Sequence, residues 1–360
     1  MNQPLSRGTA VTALLALMLC AAGHVHALSL APDAVDEPPP PADQREHDPY
    51  VLDIYWENDG GVLKPNGSHD RYYTNGVALS LAHRPRWAEQ LAPHMPFADR
   101  FGPARTAAGY TVGQLMFTPR RIEPSELLVD DRPYAGYLYA GVYWQRANEH
   151  TFDHFQLDLG LVGPSSLADH TQDWIHDIYR APEPQGWRHQ LRDEPTIQFR
   201  VRKKWRADLA SFHLADHRFD LQWIPHVGVA AGTVHRYAEA GAMLRLGGNL
   251  PDDFGPGRVR DIAAHTGDPG RGWGAYGFLR LNARLVEHNL FFAGNTWKDS
   301  HSVDHEPVVG EAQLGYAVQY RGDHWAGQFA YSQVFQSDEF KGQRDNHAYA
   351  TFALSLTYWF

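Results

Sequence analysis

The chain is poor in cysteine, in long apolar runs and in basic charge, and each shortage removes a class of protein. Its one cysteine, Cys20, falls within the first 27 of 360 residues. Beyond it there is no thiol for a disulfide, so packing and backbone hydrogen bonds have to hold the fold. No later stretch approaches the roughly 20 apolar residues of a spanning helix, and mean hydropathy is −0.47. A polytopic helical membrane protein is excluded. The net charge of −10 lacks the basic footprint of nucleic-acid binding, so no nucleic-acid partner is expected. Ser165-Ser166 sits in no G-x-S-x-G elbow, which leaves a serine hydrolase little support.

Aromatic residues and glycine are plentiful instead, with 17 Tyr, 17 Phe, 11 Trp and 32 Gly. That mixture suits strands and turns. Residues 1–27 read as a secretory signal, with Arg7 as the positive end, Val11 to Ala22 as the apolar core and Val25-His26-Ala27 as a cleavage site. The Leu-Met-Leu before Cys20 lacks the small residues that precede a lipoprotein cysteine. Residues 28–48, with Pro38 to Pro41 and several acids, read as a flexible leader, and a single folded unit is expected over 49–360.

From residue 50 onward the pattern has period two. Phe352, Leu354, Leu356, Tyr358 and Phe360 alternate with Thr351, Ala353, Ser355, Thr357 and Trp359. Phe155, Leu157, Leu159 and Leu161 alternate with Gln156, Asp158 and Gly160. One face is apolar and the other is small, polar or charged, a pattern shared by soluble sandwiches and membrane barrels. Strand length separates them: these runs reach about 11 to 15 residues, against about 5–6 in soluble sheets. Aromatics gather near the strand ends, as in the girdles of outer-membrane barrels. The chain also ends on an alternating aromatic strand, like many Gram-negative barrels. The expected fold is all-β, a transmembrane antiparallel barrel of about twelve strands with a short helix in an extracellular loop.

The strands are expected at 50–58, 73–84, 108–118, 133–146, 151–163, 195–206, 217–232, 235–248, 272–288, 308–321, 324–337 and 346–360. Twelve strands leave an interior that side chains largely fill. Two inside connections, 85–107 and 249–271, are long for periplasmic turns, and the pattern explains only a helical piece near Trp87 to Leu91. Arg200, Arg202, Lys204 and Arg206 read as a basic ladder inside the barrel, with Asp53, Glu57, Asp158 and Glu311 as candidate partners.

Strand parity brings three polar features to the outer end. Asn58-Asp59 ends the first strand, Thr74 begins the second, and loop 164–194 follows the fifth. That loop has helical spacing from Leu167 to Tyr179, is stopped by Pro182 and Pro184, and carries His176 in its middle. Alternation points Asp59 and Thr74 inward and Asn58 outward. Asn58-Asp59-Gly60-Gly61 equally has the composition of a plain turn, and Asp131-Arg132 that of an ion pair or turn at the rim.

The segments Glu57-Asn58-Asp59, Asp70-Arg71-Tyr72-Tyr73-Thr74-Asn75-Gly76, Asp131-Arg132-Pro133-Tyr134-Ala135-Gly136 and Gly163-Pro164, with Gln172 and His176, resemble the outer-membrane lipid A 3′-O-deacylases. The resemblance covers most of the chain after the signal. It implies a twelve-stranded barrel in the Gram-negative outer membrane and Ca²⁺-dependent removal of the 3′-linked acyloxyacyl group of lipid A. It also implies catalytic roles for His176, Asn58, Asp59 and Thr74, with Asp59 on the metal. The resemblance places the family's lysine of the second outside loop on no particular residue of this sequence; Arg120 and Arg121 are the nearest cations and the expected substrate contacts. The expected partners are the membrane and its lipopolysaccharide, the chain acting as monomer or homodimer. An outer-membrane phospholipase and a non-catalytic barrel remain the alternatives.

Overall fold

The computed structural model describes residues 49–59, 70–96, 101–215, 217–265, 267, 270–345 and 347–359. The expected signal, the leader 28–48, Gly60-Gly61 and Phe360 lie outside the described residues. The strands are β1 (Pro49–Asn58), β2 (Tyr72–His83), β3 (Arg105–Thr118), β4 (Ala135–Ala147), β5 (Thr151–Val162), β6 (Glu194–Trp205), β7 (Ala207–Leu214), β8 (His217–Gly232), β9 (His235–Gly248), β10 (Gly272–Asn289), β11 (Val308–Arg321), β12 (Trp325–Gln336) and β13 (His347–Trp359).

Neighbours pair antiparallel around the sheet. β1 pairs with β13, and β6 pairs with β8, so the sheet closes as a barrel of twelve. The remaining strand, β7, continues β6 past Arg206. Gln198 to Lys204 face Gly232 to His226, and Ala207 to Leu214 face Trp223 to His217. The expected strand 195–206 is therefore the first part of a longer run, whose hairpin with β8 projects beyond the start of β5 at the inner end.

Alternation decides which side chains meet lipid. In β1, Asp53, Tyr55 and Glu57 are buried while Leu52, Ile54 and Trp56 are exposed on the outside. The same split runs through β2, where Val77, Leu79 and Leu81 are exposed outward, and through β3, where Tyr110 and Val112 are. An apolar outer belt around a polar interior is the membrane arrangement, and closure leaves no strand edge unpaired within it. At the inner rim Trp273, Tyr320 and Trp325 form a run of ring contacts at 5.0 and 5.1 Å, part of an aromatic girdle.

The interior is filled by chain as well as by side chains, which the alternation pattern does not anticipate. The long connection after β9 turns back into the barrel and meets the wall on many sides. Val259 N–H donates to Glu57 at 3.3 Å, Ala263 N–H to the Tyr55 hydroxyl at 3.1 Å, and His265 N–H to Gln145 at 3.0 Å. Asp261 takes Lys204 at 3.2 Å, Arg280 at 3.3 Å and also Arg202; Arg258 takes Glu311 at 2.7 Å. The basic ladder is thus partnered only in part by the expected acids: Arg200 meets Asp158, whereas Arg202, Lys204 and Arg206 meet Glu239, Asp261 and Asp252. The other long connection carries helix α1 (Arg86–Leu91), fixed to the barrel where Trp144 Nε1 donates to the Ala88 carbonyl at 2.9 Å.

Candidate active site

The site begins with an irregularity in β2. The β2–β3 ladder shifts register between Tyr73 and Asn75, leaving Thr74 as an extra residue. Tyr72 just before it has φ of 63°, a left-handed conformation that costs a tyrosine energy. Such bulges re-aim side chains. Here Tyr73 points inward and gives its hydroxyl to Glu57 at 2.6 Å, while Thr74 Oγ1 meets Thr118 Oγ1 at 2.7 Å. Thr118 lies in the outward row of β3 with Val112 and Tyr110. Thr74 is therefore on the lipid-facing side of the wall, together with Asn58, and not in the lumen as simple alternation expects.

Asn58 and Asp59 meet the bulge directly. Asn58 Nδ2 and the Asp59 N–H both donate to the Thr74 carbonyl at 3.2 Å. The Asp59 carboxylate accepts the Arg71 N–H at 2.8 Å and is almost fully buried. The plain-turn reading accounts for these backbone bonds but not for a buried carboxylate at the rim.

Over this wall lies helix α2 (Ala168–Tyr179). Gly136 in β4 makes its seat: a Cβ there would sit 2.0 Å from Ser166 Oγ and 2.4 Å from the Ala168 Cβ. Gln114 reaches out from β3 to the Ser166 carbonyl at 2.7 Å, and Asp193 holds the Ser165 N–H at 2.7 Å. Met116, Ile122, Tyr134, Ala168 and Trp187 form a separate apolar cluster beneath the helix. The helix ends at Arg180, left-handed with φ of 55°, and Pro182 follows.

Gln172 and His176, four residues apart, share the buried face of α2. His176 Nδ1 donates to the Pro182 carbonyl at 2.6 Å, and Nε2 lies 2.6 Å from Asp70 Oδ2. The same Asp70 oxygen accepts from Gln172 Nε2 at 2.6 Å, and Trp187 Nε1 fixes the Gln172 carbonyl at 2.7 Å. Asp70 precedes Arg71, whose N–H binds Asp59, so the imidazole and Asn58-Asp59-Thr74 converge through residues 70 and 71. Asp70 and Gln172 had only motif membership to mark them in the sequence; Thr118 had no signal.

The donors gathered here are oxygens: the carboxylates of Asp59 and Asp70, the carbonyl of Thr74 and two threonine hydroxyls. That set fits a hard cation such as Ca²⁺. Among the described residues there is no cluster of three or more His, Cys, Asp or Glu side chains able to cage a metal. A cation here would be shared with backbone oxygens and substrate.

Arg120 and Arg121 stand apart from the imidazole. They line a cleft of about 230 Å³ with Tyr72, Asp130 and Arg344. Arg71 and Arg120 both reach Asp345, at 3.5 and 3.7 Å. Asp131-Arg132 forms a turn and not an ion pair. The Asp131 carboxylate accepts the N–H groups of Arg120 at 2.9 Å and Arg132 at 2.8 Å, while burial pushes its pKa up. The Arg132 guanidinium is sandwiched between Phe117 and Phe292, 4.6 Å from each ring centre. Burial lowers it to about 10, still a cation at neutral pH.

Residues 14–358 match the family described as Outer membrane protein LpxR. Among solved structures, LpxR from Salmonella typhimurium aligns with a TM-score of 0.66 at 19% identity, covering 86% of this chain and 100% of that one. The β domain of the Bordetella autotransporter Brka aligns with a TM-score of 0.42 at 11% identity, covering 88% and 100%. A search of curated protein sequences finds no match.

Proposed function

This chain belongs to the LpxR family of outer membrane proteins, the family its motifs resemble, and from its site we propose that it hydrolyses an ester of lipid A in the outer leaflet. The bond cut is the one carrying the 3′-linked acyloxyacyl group. One observation carries the reading. The His176 imidazole meets the Asp70 carboxylate under α2, and Asn58, Asp59, Thr74 and Thr118 lie beside them at the outer end of the wall, with both threonine hydroxyls on its lipid-facing side, where an outer-leaflet lipid arrives.

His176 acts as general base in this reading. Its Nδ1 proton is committed to the Pro182 carbonyl, which fixes the tautomer and leaves Nε2 for water. The Nε2 contact with Asp70 needs a further proton between them, because a carboxylate cannot donate. Asp59 and Asp70 are the carboxylates that would hold a Ca²⁺ at this site, and with Asp70 engaged there His176 Nε2 would be open to water. A bound Ca²⁺ supplies a Lewis acid for the ester carbonyl and for the oxyanion that develops on it. Asn58 holds the Thr74 carbonyl, and with it the chain leading to Asp59. Thr74 and Thr118 offer hydroxyl protons toward the reacting ester. Arg120 and Arg121 bind substrate phosphate from the neighbouring cleft.

The lumen supports an enzyme over a channel, being crossed by the chain after β9 and capped at its outer end by Phe291, whose ring lies 4.2 Å from Phe117. The deciding measurement is mass spectrometry of lipid A incubated with purified protein and Ca²⁺. Loss of the 3′ acyloxyacyl mass supports the reading. Release of fatty acid from glycerophospholipid with lipid A left intact would replace it with a phospholipase.

A further inference from the structure

Helix α2 has three faces, and the site uses one of them. At 100° per residue, Ala168, Gln172 and His176 fall on the face against the barrel wall, and all three are buried. Asp169, Asp173 and Asp177, spaced by four, form a row along one flank. Trp174 and Ile178 lie along the other, 65% and 57% exposed, and Leu167, the left-handed residue that precedes the helix, is 53% exposed. No protein covers this second flank among the described residues.

The position of the helix says what does. Ser166 and Ala168 sit over Gly136, and Gly136 lies in the outward row of β4 with Val142. The helix therefore rests on the lipid side of the wall, at the top of the apolar belt formed by Val77, Val112 and Val142 and their neighbours. A charged, polar row on one flank and exposed Trp174 and Ile178 on the other give α2 the amphipathic division of a helix lying along a membrane surface. Trp at the boundary of acyl chains and headgroups is its usual companion.

We propose that α2 is a membrane-interface helix, with Leu167, Trp174 and Ile178 seated among the acyl chains of the outer leaflet and the aspartate row turned to the headgroup side. Its apolar flank extends the belt outward from the barrel, so that His176 sits beneath a roof reached from the acyl-chain region. The proposal rests on the barrel's place in the outer membrane and on the faces of α2. It stands or falls independently of the ester chemistry.

The test uses the full chain in a Cys20→Ser background, with single substitutions Trp174→Cys, Ile178→Cys, Asp173→Cys and Asp177→Cys carrying an environment-sensitive fluorophore. A Val142→Cys label in the belt serves as the membrane-inserted reference, and heat-modifiable migration reports folding. Each variant is reconstituted in vesicles of phosphatidylcholine and lipopolysaccharide. Labels at 174 and 178 are expected to lose most of their emission to a nitroxide-bearing lipid, as at 142, and to resist aqueous iodide. Labels at 173 and 177 are expected to do the reverse. Iodide quenching at 174 and 178 equal to that at 173 overturns the proposal. Shielding of 174 and 178 from both quenchers, with disulfide-linked dimers from the unlabelled cysteine variants, overturns it in favour of a second copy on the same face.

Discussion

Thr74 and Thr118 touch hydroxyl to hydroxyl at 2.7 Å across the β2–β3 bulge, and that contact sets the face of the wall on which the candidate site lies. Without the extra residue in β2, Thr74 would share the inward row of Gly76, two residues on, and face the lumen. With it, Thr74 joins Asn58 under α2. Replacing Thr74 by Ala should leave the barrel folded by heat-modifiable migration and lower deacylation. Replacing it by Ser, which keeps the hydroxyl, should restore most of the rate. Equal loss in both variants would mean that the methyl or the backbone, and not the hydroxyl, is what matters.

His176 carries the base role, so His176→Ala should lower turnover by about 10²- to 10⁴-fold, the usual worth of a general base. The barrel should still fold, because among the described residues the ring bonds to the Pro182 carbonyl and to Asp70, both in loops outside the strands. Turnover counted by mass spectrometry of lipid A at saturating Ca²⁺ checks this. An active His176→Ala protein would remove the imidazole from the mechanism.

Asp59 and Asp70 should share the cation. Chelation should abolish activity in the native chain, and Ca²⁺ should raise its melting temperature, since ligand that binds only the folded state stabilises it. Asp59→Asn and Asp70→Asn should each shift half-activation to higher Ca²⁺. In both variants the Ca²⁺-dependent rise in melting temperature should move to correspondingly higher Ca²⁺. If Ca²⁺ leaves the melting curve of the native chain unmoved, the oxygen set is not a cation site.

Gly136 is the cradle of α2, and a larger residue there should lift the helix off the wall. A Cβ would lie 2.0 Å from Ser166 Oγ, so Gly136→Val should displace the start of α2 and with it Gln172 and His176. The expected result is a folded barrel with little activity and easier proteolysis within 164–194. Unchanged activity would show that the helix start gives way at no cost to His176.

Much of this was legible beforehand, for a physical reason. Period-two alternation over long strands reports a closed wall between lipid and a polar interior, and strand parity alone carries Asn58, Asp59, Thr74 and His176 to one end. Parity fails where the ladder is irregular. The bulge at Thr74 follows closely on Tyr72, whose left-handed conformation no composition signals in advance. The run 251–265, with Pro251, Gly255, Pro256 and Gly257, has loop composition. Its destination in the lumen is set by charges on partners far away in sequence, Lys204, Arg280 and Glu311 among them. The basic ladder was visible on β6, but the acid that takes most of it, Asp261, belongs to that inserted segment.

Asp261 is accordingly the place to test what the inserted segment does. It faces Arg202, Lys204 and Arg280, and removing one member of a buried ionic group costs about 3–5 kcal/mol because the others stay buried and unpaired. Asp261→Ala should therefore unfold at lower denaturant, with its lumen loosened from the inner end. In a planar bilayer the native chain should show no steady conductance, since the segment fills the lumen up to Glu57 and Tyr73, and Phe291 packs on Phe117 beside them. A chain lacking 251–265 that still folds should conduct, with the Phe291 level as its remaining constriction. Conductance of the native chain equal to that of the deletion would mean that the inserted segment opens in the membrane, and the lumen would then have to be counted as a path for solute.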